Sequence, residues 1–580
     1  MKIKNIVISN YRVLDGISVS FDEHSNYIVG KNNVGKTCML DLLNSVFNGK
    51  SFEDSDFFDV ERAISIKLKI KLNENEYGIF DDNFSVEEEG IANLNIIQKS
   101  PDDSILIRSI DTNSNIYTSN IKKANIISHS SNIKPLGEFD LTFRGRDYNL
   151  IPELVKQYIS TNPRESSDQS DYDKALLAFL NKSVSKLDSF QENGISIGIN
   201  TDYEKIITRS LSIHSESDID FSRMGFGIQF SSLVPLKIID KIIYWKKYNQ
   251  LEKHLITQSD GEKVLNIILT LDEPEVHLHP NLQVQTMSYI RKILNGSDSK
   301  FNLLLKDVFD IDTIAGQIIT VTHSPKIFSS NYKEIIRFTN DNDKVLAVSG
   351  NELTLNDHEA KQLKRQFPYF ADALFANGVI LVEGDTEQTA IPIFASKMDI
   401  DLVANNVNVV RTDGVQSIPS LRKLLNTLHI KNVCIIDSDG NKKRKNNVTE
   451  GQYVTELDDF EFECFEVMTL HDINHYLSDY YAEIKAENYS LNFWMRSSLC
   501  KNVINDGDLF NSTEDTRDIV DHLLQHFDER QHREIKSKIK EFFINNYLKN
   551  KSIVNGGIIA SNVSVVPHTY SNAINAIVNG

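Results

Sequence analysis

The 580-residue sequence has only four cysteines, Cys38, Cys434, Cys464 and Cys500, too scattered for zinc-ligand spacing or a disulfide framework. No apolar run approaches the ~20 residues that a membrane span needs. Met1-Lys2-Ile3-Lys4-Asn5 leads straight into a strand-like pattern, without the apolar core of a secretion signal. A cytoplasmic protein with no membrane partner is the expectation. Positive charge is also in deficit: 62 Lys and Arg stand against 81 Asp and Glu, a net charge of −19 and a pI of about 5.3. That argues against non-specific nucleic-acid binding by the whole surface and leaves room for a local basic groove. Internal repeats and long heptad arrays are missing as well. What remains is ordinary globular composition, 40% hydrophobic and 25% charged, in a chain too long for one core.

Two acidic clusters stand out in the second half. Val379-Ile380-Leu381-Val382 runs into Glu383-Gly384-Asp385-Thr386-Glu387, and Val433-Cys434-Ile435-Ile436 runs into Asp437-Ser438-Asp439. Short apolar, β-branched runs of this kind predict buried parallel strands. Carboxylates at the ends of adjacent parallel strands converge, and oxygens so crowded call for a hard divalent cation such as Mg²⁺. Lys442-Lys443-Arg444-Lys445 follows the second cluster, where a phosphate backbone would need positive charge; a solvated loop reads the same way.

The N-terminal half carries nucleotide motifs. Gly30-Lys31-Asn32-Asn33-Val34-Gly35-Lys36-Thr37 fits G-x-x-x-x-G-K-[ST], between the strand Tyr27-Ile28-Val29 and an amphipathic helix bearing Met39, Leu40, Leu42, Leu43, Val46 and Phe47. Its backbone N–H groups cradle phosphates, Lys36 reaches the β/γ-phosphates of ATP and the Thr37 hydroxyl ligates Mg²⁺. A second apolar strand, Ile267-Ile268-Leu269-Thr270-Leu271, delivers Asp272 to that ion and Glu273 to the attacking water. A third, Gln317 to Val321, leads to His323, placed to sense the γ-phosphate. Ser222-Arg223-Met224-Gly225-Phe226-Gly227 is glycine-rich ahead of a helix, which a capped helix start also explains.

Together these motifs resemble an ABC-type ATPase of the SMC/RecF kind. By that resemblance Ser222 and Gly225 occupy the signature that meets ATP on the opposite subunit, and Glu275-Val276-His277-Leu278-His279-Pro280 is the D-loop. Gln98 and Gln157 are candidates for the Q-loop. The missing coiled coil separates this chain from SMC proteins themselves. The second half resembles a TOPRIM domain: Glu383-Gly384, Gly414 and Asp437-x-Asp439 follow three successive strands. Glu383-Gly384-x-x-Glu387 matches the form found in the OLD (overcoming lysogenisation defect) family, which fuses an ABC ATPase to a TOPRIM nuclease.

The fold class implied is α/β, an ABC-type ATPase domain with a helical insertion followed by a TOPRIM α/β domain. The ATPase domain is expected over 1–370, its insertion at about 150–215 being a candidate dimerisation element. The TOPRIM domain with C-terminal helices is expected over 371–580. Within the insertion, Val155, Tyr158 and Ile159, then Leu176, Leu177, Phe179 and Leu180, share helical faces. The resemblance also implies that Glu383, Asp437 and Asp439 hold one metal ion, Mg²⁺ or Mn²⁺. Glu387 and a later acid hold a second, and Lys549 or Lys551 stabilises the transition state. Leu470-His471-Asp472-Ile473-Asn474 resembles the late acidic segment of some ATPase–TOPRIM proteins, with Asp472 the candidate ligand and Asn474 where an acid is usual.

The function expected is an ATP-regulated, metal-dependent DNA endonuclease or nickase, an effector of bacterial anti-phage defence of the Gabija or retron type. It would work as a homodimer or higher oligomer. Its partner would be a retron reverse transcriptase with its RNA–DNA hybrid, or a helicase-like protein. An ATP-dependent DNA-binding or repair scaffold with an inactive TOPRIM site, and a nuclease acting on RNA, are the competing expectations.

Overall fold

The computed structural model describes residues 1–80, 83–85, 88–130, 150, 153–154, 157–158, 169–199, 211–215, 226–276, 278–341, 344–446, 448–469, 471–473, 475–476, 479, 528–530, 533–534, 537 and 553–579. The chain divides into two compact units, Met1–Leu353 and Thr354–Gly580. Helix Asp357–Phe370, opened by a capping box between Asn356 and Glu359, thus belongs to the second.

The strands of the first unit are β1 (Lys2–Ser9), β2 (Ser18–Ser20), β3 (Ser25–Gly30), β4 (Ile64–Lys71), β5 (Ile91–Gln98), β6 (Leu106–Ser109), β7 (Ile126–Ser130), β8 (Ile195–Ile199), β9 (Leu211–Ser215), β10 (Leu255–Thr257), β11 (Lys263–Asp272), β12 (Thr313–Val321), β13 (Ile335–Asp341) and β14 (Lys344–Ser349). One sheet is antiparallel, in the order β2-β1-β4-β5-β6. Period-two alternation builds it: Ile64, Ile66, Leu68 and Ile70 of β4 are buried while Lys67 is exposed.

The other large sheet runs β10-β11-β12-β3-β13-β14. β11, β12, β3 and β13 are parallel neighbours. β10 and β7 share the remaining edge of β11, β10 at Lys263–Leu265 and β7 at Ile268–Asp272. β3 is buried throughout and β11 at every position after Lys263, as continuous apolar strands covered on both faces should be. Helix Lys36–Asn48 buries Met39, Leu43, Val46 and Phe47 in one core with Ile28, Ile268, Ile319 and Phe338. The buried Gln317 amide staples β12 to β1, accepting from Ile3 N at 2.8 Å and donating to Ile3 O at 2.9 Å. The insertion is not purely helical. Helices Gln169–Val184 and Asp188–Glu192 are joined there by β8 and β9, an antiparallel pair of five-residue strands that alternate apolar and polar residues.

The second unit carries β15 (Gly378–Val382), β16 (Val407–Arg411), β17 (Lys431–Ile436) and β18 (Gln452–Val454), all parallel, in the order β16-β15-β17-β18. Helices Asp385–Lys397 and Ile418–Thr427 provide the crossovers. Helices Ile553–Asn562 and His568–Asn579 complete the same core, where the rings of Phe394, Phe460 and Tyr570 meet with centroids 5.4–6.1 Å apart. Gly556 lets helix Ile553–Asn562 approach helix Asp385–Lys397: a Cβ there would lie 2.4 Å from Thr386 O. Among the described residues no helix is long and apolar enough to cross a membrane.

Two imidazoles in the first unit are enclosed. His254 stacks on Trp245, centroids 4.2 Å apart, with Nδ1 2.6 Å from Asn125 Oδ1. Burial, aided by Lys241, Lys123 and Lys253, lowers its pKa to about 4. Burial and Lys237 lower that of His129 to about 3. In the unfolded chain both take up protons near 6.5, so the stability their neutral burial confers is complete above that value and is lost as pH falls through 4. The thermal midpoint is therefore expected to drop between pH 6.5 and 4, with Trp245 fluorescence changing over the same range. His254→Phe, which keeps a ring on Trp245, should flatten part of that slope; an unchanged slope would contradict this account.

Candidate functional site

The first unit's motif residues gather at the carboxyl ends of β3, β11 and β12. Gly30 (φ +147°) ends β3, and a Cβ there would sit 2.2 Å from Phe338 O. Asn33 (φ +63°) and Gly35 (φ +85°) continue the turn in left-handed conformations that leave successive N–H groups free to face an anion. Lys36, 6% exposed, donates to Gly30 O at 2.9 Å and Lys31 O at 2.6 Å. Burial lowers its pKa, against the pull of Glu273 and Asp272. Thr37 Oγ1 lies 3.5 Å from Asp272 Oδ1. Burial and Glu273 raise the Asp272 pKa, against the Thr37 hydroxyl and the Lys36 charge.

Glu273 sits at φ +50°, a conformation that L side chains adopt only under constraint. Its N–H donates to Val321 O at 2.9 Å, tying the turn after β11 to β12. Glu273 Oε1 lies 3.6 Å from His323 Nε2, and burial lowers the His323 pKa. The sequence reading assigned Glu275 only to the D-loop. Here its Oε1 accepts the His323 N–H at 2.5 Å, while Oε2 is enclosed with no hydrogen-bond partner among the described residues. Burial raises the Glu275 pKa. Glu275 is therefore a strut between the turn after β11 and the one after β12, a role detectable only once those strands are known to be neighbours.

The D-loop leads into helix Pro280–Leu294, whose Gln283 accepts from Ser324 Oγ at 2.6 Å. Ser222 and Gly225 lie outside the described residues; helix Phe226–Lys247 follows them. Neither Q-loop candidate is joined to these motifs by a described hydrogen bond. Gln98 is buried and clamps Phe52, accepting from its N at 2.7 Å and donating to its O at 2.8 Å, and Gln157 donates to Asp307 O at 3.0 Å.

In the second unit the same strand-end logic applies. Glu383 follows β15, Asp437 follows β17, and the Asp437 N–H donates to Glu383 Oε1 at 2.9 Å. The Glu383 carboxyl is pushed up to about 7, by burial first and by Asp437 second. The Asp437 N–H and Arg444 oppose the shift and Asp439 adds to it. Glu387, 3% exposed in the first turn of helix Asp385–Lys397, brings Oε2 to 3.1 Å from where a Gly384 Cβ would stand, so glycine makes room for it.

The 437–439 loop is pinned from beneath. Ser438 N donates to Thr455 Oγ1 at 2.8 Å, Ser438 Oγ to Leu457 O at 2.5 Å, and Asp439 N to Asp458 O at 2.8 Å. Asp439 itself is left-handed, φ +48°, and its exposed carboxylate pairs with Arg444 at 2.6 Å. Among the described residues no three His, Cys, Asp or Glu side chains close into a ready metal cage. An all-oxygen donor set with a raised Glu383 pKa nonetheless fits a hard divalent ion better than it fits bare carboxylates.

The later residues are placed differently from expectation or not at all. Asp472 forms a reciprocal cap with Thr469, accepting from Thr469 N at 2.8 Å and donating its own N–H to Thr469 Oγ1 at 3.1 Å, and also accepts from Ser564. That is a capping role, with no described hydrogen bond or ion pair to Glu383, Glu387 or Asp437. Asn474, Lys549 and Lys551 lie outside the described residues.

Sequence reasoning missed Glu461 and Glu463, 2% and 5% exposed on helix Phe460–Val467. Burial raises the Cys464 pKa, and the charges of Glu461, Glu463, Glu387 and Asp459 add to it. Glu463 is structural: it accepts from Leu457 N at 3.0 Å and Thr569 Oγ1 at 3.2 Å. The signal was weak, since four residues separate the end of β18 at Val454 from Asp459, whereas Glu383 and Asp437 directly follow β15 and β17.

A P-loop ATPase head followed by a parallel sheet with acids at its strand ends defines the class. Residues 1–89 and 63–328 match the AAA ATPase domain, and residues 374–439 match the Overcoming lysogenization defect protein-like, TOPRIM domain. The chain belongs to the AAA ATPase domain family and carries an OLD-like TOPRIM domain behind it, the composition of OLD proteins. It is similar to Old nuclease of Escherichia phage P2, 22% identical over 496 residues, covering 76% of this chain and 77% of that one. It is also 22% identical over 278 residues to endonuclease GajA of Bacillus cereus (strain HuB5-5), covering 45% of this chain and 38% of that protein. The solved C-terminal region of the Burkholderia pseudomallei OLD protein aligns at 20% identity over 35% of this chain and 97% of that one, with a TM-score of 0.21, too loose to carry an argument.

Removing the Glu275 strut should slow ATP turnover without weakening nucleotide binding. Glu275→Ala is expected to lower the steady-state rate of phosphate release on the order of ten- to a hundredfold, Glu275→Gln less, with affinity for a fluorescent ATP analogue nearly unchanged. Lys36→Ala should instead abolish binding. Equal losses of turnover and affinity at Glu275 would refute the strut.

Proposed function

We propose that this chain is an ATP-regulated, divalent-metal-dependent DNA endonuclease or nickase of the OLD family, an effector of bacterial anti-phage defence. The observation that carries the reading is the convergence of Glu383 and Asp437 at the ends of adjacent parallel strands, joined by the 2.9 Å hydrogen bond and flanked by Glu387 and Asp439. The named relatives, a nuclease and an endonuclease, support it.

Glu383, Asp437 and Asp439 would hold one ion, and Glu387 with a later carboxylate a second. Such ions, Mg²⁺ or Mn²⁺, supply activation of water and stabilisation of the leaving sugar oxygen. The chain's own residues orient this corner: Ser438, Thr455 and Asp458 fix the loop, and Gly384 admits Glu387. In the ATPase unit, Lys36 exchanges its carbonyl partners for phosphate oxygens, Glu273 orients the attacking water, and His323 follows the γ-phosphate. Nucleotide acts as a control signal: binding orders a homodimer or higher oligomer, and its loss changes access to the nuclease site. A retron reverse transcriptase with its RNA–DNA hybrid, or a helicase-like protein, is the partner class proposed.

Asn474, where an acid is usual, favours one competing reading, an ATP-dependent DNA-binding scaffold whose TOPRIM site is inactive. Supercoiled plasmid incubated with Mg²⁺ or Mn²⁺ separates them. Wild type is expected to nick or linearise it, with Glu383→Ala and Asp437→Ala slower by roughly a hundredfold or more, since loss of outer-shell support alone costs about 10- to 100-fold. Equal background cutting by all three proteins would leave the scaffold.

A further inference from the structure

Arg444, on the short helix Lys442–Asn446, is the member of the basic run whose contacts reach the acids. Its Nη1 donates to Asp437 O at 2.8 Å and to Asp439 Oδ2 at 2.6 Å. It is also a cation whose field holds down the Glu383 pKa. Arg444 gives the backbone of the acidic loop one bond, at Asp437 O, and the rest is held without it: Ser438 by Thr455 and Leu457, and Asp439 N by Asp458 O. What Arg444 fixes is the side chain of Asp439, 58% exposed and in no other ion pair among the described residues. The guanidinium thus supplies one positive charge to a corner whose donors suit two or more.

A divalent ion drawn in by Glu383 and Asp437 competes for the same Asp439 oxygen. Arg444, once displaced from it, keeps its bond to the Asp437 carbonyl and stays at the rim. There its planar fork matches a phosphate bidentately.

We propose that Arg444 is the resident counter-cation of the Asp437–Asp439 corner, yielding Asp439 to an incoming divalent ion and turning to a backbone phosphate of the nucleic-acid substrate. This rests on the nuclease reading and assigns that site a phosphate-contacting residue which also gates its metal.

The two halves of the exchange predict opposite changes in one variant. In full-length, nucleotide-free protein, Arg444→Ala should bind Mn²⁺ about two- to fivefold more tightly by calorimetry, the range expected on removing an exposed ion-pair competitor. The same variant should bind a labelled DNA duplex in Ca²⁺ more weakly, with the slope of log affinity against log salt reduced by about 1. Arg444→Lys, which keeps charge but not the fork, should fall between wild type and Arg444→Ala in both measurements. A role confined to holding the loop together would weaken metal and DNA binding alike, and that result overturns the proposal, as does an unchanged Mn²⁺ affinity or salt slope. Glu383→Gln separates the levels of failure. If Mn²⁺ binding by wild type is insensitive to Glu383→Gln, the nuclease reading falls; if it is sensitive but Arg444→Ala binds as wild type does, only the exchange falls.

Discussion

The hydrogen bond from the Asp437 amide to the Glu383 carboxylate is the constraint on which the acidic corner depends. It joins the ends of β15 and β17, which pair in parallel over Gly378–Leu381 and then separate. Burial first, and the nearby Asp437 carboxylate second, push the Glu383 pKa up to about 7. The fold holds both carboxylates by burying the strands that carry them: every residue of β15 is enclosed, and so is Val433–Ile436 of β17. Stability sited in the sheet thus sustains an unfavourable electrostatic arrangement at its edge, as functional corners generally require.

Both units solve the same geometric problem. Parallel strands end in line, so side chains just beyond them share a small volume without needing to be near in sequence. Thr37 and Asp272, 235 residues apart, meet in this way, as do Glu383 and Asp437, 54 apart. The turns that follow are then held in unusual backbone conformations, Glu273 at φ +50° and Asp439 at φ +48°, each tied by its own N–H to a carbonyl on a neighbouring segment. Aiming a carboxylate is left to the backbone, and the side chain remains free to exchange partners.

The strands and motifs were legible because their signals are local. An apolar run followed by glycine or acid predicts a strand end, and β3, β11, β12, β15 and β17 lie where the sequence placed them. What depended on neighbours was not legible. Gln98 reads as a catalytic glutamine until its amide is seen clamping Phe52. Asp472 reads as a ligand until it caps its own helix through Thr469. Glu275 reads only as part of a D-loop and Arg444 only as one of a basic run, and their partners, the His323 N–H and Asp439, appear only in the folded chain. The β8–β9 pair escaped because each strand is only five residues long, Ile195–Ile199 and Leu211–Ser215, too short for its alternation to outweigh the helical pattern around it.

The contact between Gly556 and Thr386 ties residues 170 positions apart, and with it the acidic helix to a segment translated long after it. Lys397 Nζ reaches Ser561 O at 2.7 Å, and the Tyr570 ring closes on Phe394 and Phe460. A ribosome that has delivered Glu383, Asp437 and Asp439 has therefore not yet delivered the helices that finish their core. The core beneath these acids is therefore complete only once residues 553–579 have emerged.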